Sequence, residues 1–162
     1  MLKYAYMNIK YYLNIFKALA DETRLRIVRV LIKAKTELCV CEIMDSLQES
    51  QYNISRHLRE LKICGLVQER KAGRWVFYSL VKPKNQIHRR LRQAILSIPE
   101  KVLAKDAQRL KKRLALRKDG QVVIGMGGKD LLEKSNRIVT EKEKRAFEAG
   151  TGKVAVKVVG IL

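Results

Sequence analysis

The stretch from Gln51 to Leu80 constrains the fold most: QYNISRHLRELKICG runs directly into LVQERKAGRWVFYSL. At ~100° per residue of an α-helix, Ile54, Leu58 and Leu61 fall on one ridge. Ser50 is placed to cap the start of that helix and Gly65 to end it. The second run reads as two strands around Ala72-Gly73, a β-hairpin. One apolar ridge and a two-stranded ribbon cannot bury each other completely. The rest of the core must come from other helices.

The chain supplies them. Ile9, Tyr12, Leu13 and Phe16 recur at i, i+3, i+4 and i+7. Asp21 is a suitable N-cap for ETRLRIVRVLIKA, whose Leu25, Val28, Leu31 and Ile32 face inward. KTELCV reads as a short extended piece and CEIMDSLQ as a short third helix. Beyond the hairpin, Pro83 stops the strand. KNQIHRRLRQAILSI is helical, with Ile87, Leu91, Ile95 and Ile98 on one side, and Pro99 ends it. EKVLAKDAQRLKKRLALRK repeats the pattern with Leu103, Ala107, Leu110 and Leu114. The expected fold is mainly α with a small β-hairpin wing (α+β).

A short helix, a turn, a second helix and a hairpin follow the winged helix-turn-helix order, in which the second helix enters the DNA major groove. The face opposite the Ile54–Leu58–Leu61 ridge carries Tyr52, Ser55, Arg56 and Arg59. Arg can fork onto guanine and Gln onto adenine, so Gln51, Tyr52, Ser55 and Arg56, early in the helix, are the candidates for base edges. Arg59 and Lys62 suit phosphate. At the wing, Arg70, Lys71 and Arg74 suit phosphate or the minor groove, or else are ordinary strand-edge charge. His57 falls beside the buried ridge and reads as a packed histidine.

Charge agrees: 35 Lys and Arg against 16 Asp and Glu give a formal +19. So basic a chain fits a polyanionic partner, with double-stranded DNA first.

Three cysteines, Cys39, Cys41 and Cys64, are too few and odd in number for a secreted disulfide scaffold. No apolar run reaches membrane-spanning length, so no membrane partner and a cytoplasmic location are expected. In a reducing compartment a structural disulfide is disfavoured. Core packing, oxidant sensing and a grip on a soft ion remain for the pair in ELCVCEIM. Residues at i and i+2 share one side of an extended chain but not of a helix. A shared ion would therefore need an unwound first helical turn. The helix N-terminus is expected to lower the thiol pKa.

FKALADETRLRIVRVLI, ELCVCEI, SQYNISRHLRELKICGLV and RKAGRWVFYSL together resemble the ArsR family of metalloregulators, from about Ile15 to Leu80. The resemblance implies a homodimeric winged-helix repressor whose terminal helices form the dimer interface and whose operator is released on ligand binding. ELCVC resembles the arsenic-sensing branch. This implies arsenite or antimonite as inducer at Cys39 and Cys41, with no obligatory cofactor. Some arsenic sensors have a third cysteine where this chain has Met44. Cys64 is then the candidate third ligand.

Three divisions are expected: residues 1–99 for DNA binding and dimerisation, 100–118 as an additional helix extending the dimer, and 119–162 as an extension without an assigned role. In the last, VVIGMGGKDLLEK resembles a strand, glycine loop and helix but lacks phosphate-loop spacing. A phosphate-handling enzyme would require Lys129. A basic RNA-binding protein would need an aromatic stacking surface, and the aromatics are spread through core positions.

Overall fold

The computed structural model describes residues 9–123 and 125. The expected glycine loop with Lys129 and the last strand lie outside these residues. The described residues all fall in one compact unit.

Helices α1 (Ile9–Leu19), α2 (Glu22–Ala34), α3 (Val40–Leu47) and α4 (Gln51–Ile63) precede the hairpin of β2 (Val67–Ala72) and β3 (Trp75–Leu80). Helices α5 (Gln86–Leu96) and α6 (Ala104–Leu114) follow, separated by a 3₁₀ turn at Glu100–Val102. The capping residues act as their side-chain chemistry requires. The Asp21 carboxylate accepts from Arg24 N at 2.9 Å, Ser50 Oγ from Asn53 N at 3.2 Å and Asn85 Oδ1 from His88 N at 3.1 Å. α4 is followed by its C-cap Cys64, and the chain turns through Gly65 at φ +75°, a conformation that glycine adopts without strain.

The sheet has three strands in the order β1-β3-β2, because the extended piece before α3 becomes β1 (Leu38–Cys39). Leu38 pairs with Tyr78 and Cys39 with Phe77. Ala72 pairs with Trp75, so the wing turn is Gly73-Arg74, one residue later than the sequence pattern suggested. Gly73, at φ +57°, supplies the positive φ that a two-residue hairpin demands.

The core gathers Ile27, Val28, Val30 and Leu31 of α2, Ile43 and Leu47 of α3, and Ile54, Leu58 and Leu61 of α4. Leu38, Val67, Ile95 and Leu110 complete it. The α4 ridge is thus buried as its spacing implies. α6 packs along α3 and α2 of its own chain. Its expected stripe is only partly right, since Ala107 is exposed while Asp106 and Arg113 are buried beside Leu110. α1 buries Ile15 and Ala18 and leaves Ile9, Leu13 and Phe16 exposed. Tyr11 Oη lies 2.8 Å from His88 Nε2, tying α1 to α5. Among the described residues no helix is long and apolar enough to cross a membrane.

Candidate nucleic-acid interface and thiol pair

α3 and α4, joined by the three residues 48–50, form the helix-turn-helix. Gln48 takes φ +58° and its N–H returns to Met44 O, which ends α3 and turns the chain into the second helix. On α4, Gln51, Tyr52, Ser55, Arg56, Arg59 and Lys62 are all exposed, Tyr52 at 79%. Arg56 Nη2 donates to Asn53 Oδ1 at 3.1 Å, and Asn53 Nδ2 donates to Glu49 Oε2 at 2.9 Å. This chain orients the guanidinium near the start of the helix, the end that reaches deepest into a groove. His57 is buried, with Nδ1 3.6 Å from Asp21 Oδ1, and burial pushes its pKa down.

The wing residues differ in availability. Arg74 sits at the turn with its guanidinium 4.8 Å from the Trp75 ring centroid, and Lys71 is exposed. Arg70 lies mid-strand. It forks onto both Glu37 oxygens, its Nη2 at 2.6 Å from Oε1, and covers the Phe77 ring. Lys62 Nζ meets Glu69 Oε1 at 3.0 Å, linking α4 to the wing. These pairs are exposed enough to exchange for phosphate at small loss.

The thiol pair lies at the other end of the helix-turn-helix. Cys39 is the N-cap of α3, in extended conformation at φ −78°, ψ 162°. Its side chain faces the Glu42 N–H, while Glu42 Oε2 accepts from Cys39 N at 2.9 Å, a capping box. Cys41 is half-buried, two residues along, in the first turn of α3. The pair thus straddles the start of the helix, with Cys39 on extended chain and Cys41 within the first turn. The expected lowering of the thiol pKa does not occur. Burial, with the Glu42 carboxylate adding to it, pushes Cys39 up to about 12, and burial also raises Cys41.

Cys64 stands apart at the C-cap of α4, its Sγ donating to Leu61 O at 3.3 Å. Among the described residues no three His, Cys, Asp or Glu side chains gather as a metal site.

Charged residues of α6 and the turn after it pair with the acidic residues of the thiol-bearing helix and with α2, and the sequence patterns had missed them. Glu42 has no exposure, and both its oxygens accept from Arg117, whose Nη2 also donates to Glu37 O at 2.7 Å. Arg113 Nε lies 2.8 Å from Asp45 Oδ2, both buried. Arg26 Nε lies 2.8 Å from Asp106 Oδ2, and its Nη2 donates to Leu47 O at 2.7 Å, fixing α6 to the end of α3. The signal was present in α6: Asp106 and Arg113 fall in step with buried Leu110, where a solvated face would not place them.

A helix-turn-helix with an outward cationic face, flanked by a β-hairpin, defines a winged helix-turn-helix DNA-binding regulator. The sequence model described as "Bacterial regulatory protein, arsR family" matches residues 21–69. The chain belongs to that family. It is similar to an arsenic resistance transcriptional regulator of Pseudomonas putida, 44% identical over 100 residues, which span 60% of this chain and 84% of that one. It is also similar to the arsenical resistance operon repressor of Escherichia coli, 52% identical over 42% of this chain and 57% of that one. A cadmium resistance regulatory protein homologue of Staphylococcus aureus is 46% identical over 41% of this chain and 54% of that one.

Proposed function

We propose that this protein is a homodimeric repressor that leaves its operator when trivalent arsenic or antimony bonds to Cys39 and Cys41. The observation that carries this reading is the position of the pair. Two free thiols, two residues apart, sit at the N-terminus of the first helix of the helix-turn-helix. Soft sulfur selects soft ions over magnesium or calcium, and trivalent arsenic takes thiolates in pyramidal geometry. The names of the Pseudomonas and Escherichia relatives support an arsenical inducer.

The coupling follows from packing. α3 shares its core with α4 through Ile43, Leu47, Ile54 and Leu58. A change at the α3 N-cap shifts the seat of the helix that presents Gln51, Tyr52, Ser55 and Arg56 to base edges. Arg59, Lys62, Lys71 and Arg74 contribute phosphate contacts, and Arg70 joins them by exchanging Glu37 for phosphate. An ion releases DNA only by binding the two conformations unequally. Residues 1–99 carry DNA binding and dimerisation, 100–118 an added helix, and 119–162 an extension.

A gel shift on the duplex upstream of the chain's own coding sequence tests this, titrated separately with arsenite, antimonite, cadmium, zinc and peroxide under controlled thiol conditions. Release by arsenite and antimonite under reducing conditions supports the proposal. Release by peroxide alone assigns the pair to redox sensing, and release by cadmium or zinc alone to a different ion.

A further inference from the structure

Cys39 and Cys41 supply two sulfur ligands, and trivalent arsenic makes three bonds. Arsenite, As(OH)₃, reacts with two thiols by exchanging two As–O bonds for two As–S bonds. Each thiol proton leaves with a departing hydroxide as water. Arsenic stays trivalent, and one hydroxyl stays on it. Among the described residues no third cysteine, histidine or carboxylate gathers at the pair to displace that hydroxyl. A thioether, such as that of Met44 on the same helix, has no proton to release and is a far weaker ligand than a thiolate.

What the fold does bring to the pair is a guanidinium. Cys41 and Asp45 are one turn apart on the same face of α3. Arg113 meets Asp45 at 2.8 Å and is only 1% exposed, so it is held against that face, inside the protein. Its positive charge acts on both thiols. One turn further along, Arg117 grips Glu42, whose carboxylate closes the capping box on Cys39. Arg113, whose Nη2 also lies 3.4 Å from Gly125 O, and Arg117 thus hold the two carboxylates of α3 that neighbour Cys41 and Cys39. A guanidinium carries five N–H donors in a rigid plane and accepts nothing, which suits it to hold an oxygen ligand rather than replace it.

We propose that Arg113, delivered by α6, completes the metalloid site by donating a hydrogen bond to the hydroxyl that arsenite keeps after Cys39 and Cys41 have displaced the other two. α6 thus serves as the third wall of the sensor. The proposal rests on thiol binding of arsenite as described above.

Phenylarsine oxide, hydrated to C₆H₅As(OH)₂, separates the two ideas. It has only two exchangeable oxygens, so its complex with two thiols retains no hydroxyl for Arg113 to hold. Affinity for arsenite and for phenylarsine oxide is measured on the full chain by thiolate-to-arsenic absorbance in the near ultraviolet. The proteins compared are the parent, Arg113→Met, Arg113→Lys and the double variant Asp45→Asn/Arg113→Met. The double variant avoids a stranded buried carboxylate and keeps the test sound if Arg113→Met fails to fold. Loss of the hydrogen bond should weaken arsenite roughly tenfold in the Met variants. Arg113→Lys should recover part of it, and phenylarsine oxide should change less than about threefold. Equal weakening of both ligands, or arsenite affinity unchanged in the Met variants, overturns the role of Arg113. If Cys39→Ser/Cys41→Ser binds both ligands as the parent does, the thiol site itself is overturned, and the proposal with it.

Discussion

Arg117 donates from Nε to Glu42 Oε1 at 2.7 Å and from Nη2 to Glu42 Oε2 at 2.8 Å, joining residues 75 positions apart. The carboxylate has no exposure, so its charge is compensated almost wholly by this fork and by the Cys39 N–H. Removing one partner strands the other. Arg117→Ala or Glu42→Ala should each cost about 3–5 kcal/mol. Glu42→Ala combined with Arg117→Ala should cost well under the sum of the single losses. Urea denaturation of the four proteins reads the coupling, and additive losses would show that the pair is not the clamp described.

The recognition helix and the wing should fail differently on DNA. Arg56→Ala should lose about 1–3 kcal/mol of preference at one base pair, because its guanidinium stands at the groove-entering end of α4. Arg74→Ala should weaken specific and random duplexes alike and flatten the salt dependence. Fluorescence anisotropy on both duplexes across a salt series distinguishes these. An equal loss on both for Arg56→Ala removes it from base readout.

α1 leaves Ile9 69% exposed, Leu13 46% and Phe16 49%, while α5 adjoins it through the Tyr11–His88 hydrogen bond and leaves Leu96 exposed. These helices should close a symmetric dimer. Leu13→Glu combined with Phe16→Glu should turn it into a monomer and weaken binding to a two-half-site operator. Sedimentation at micromolar concentration checks this. A monomeric parent would refute it.

Residue chemistry made the fold legible where one segment decides its own structure. The Ile54–Leu58–Leu61 ridge, the Ser50 and Asp21 caps and the hairpin all follow from local spacing. The thiol pair was legible as a pair, but its surroundings were not. Glu42, Asp45 and Asp106 find partners on distant segments, and a charged residue on a helix looks solvated until the helix that covers it is known. The same blindness hid the fork between Glu37 and Arg70, which the sequence offers as a wing contact or as ordinary strand-edge charge. It also led to low thiol pKa values from the helix N-terminus, an effect that burial and the Glu42 carboxylate outweigh.

The buried thiol has two consequences. Cys39 should resist iodoacetamide near pH 8.5, where a free thiol is about half ionised, while the denatured chain labels fully. Its pKa of about 12 lies above that of the unfolded chain, so the folded state binds more protons between roughly 8.5 and 12. Stability should fall as pH rises through that window, and Cys39→Ser should blunt the fall. Mass spectrometry and alkaline urea titrations measure the two. Rapid labelling of native Cys39 would contradict its burial.

Burial lowers the pKa of both histidines, His57 and His88. The unfolded state then binds more protons below about pH 6.5, so stability present above that pH should decline as pH falls. Chemical denaturation at pH 7.5 and 5.5 should show the loss, above the range where most carboxylates titrate. Equal stability at the two values would mean that neither imidazole is held neutral.

Sensing through the two thiols is tested most directly by anisotropy of labelled upstream duplex, titrated with arsenite under reducing conditions, for the parent and for Cys39→Ser/Cys41→Ser. Serine nearly preserves size and neither cysteine lies on the DNA-reading face, so both proteins should bind the duplex with similar affinity before arsenite is added. The parent should then let go as arsenite rises, and the double variant should stay bound throughout. Release of both at the same arsenite concentration would contradict a switch built on Cys39 and Cys41.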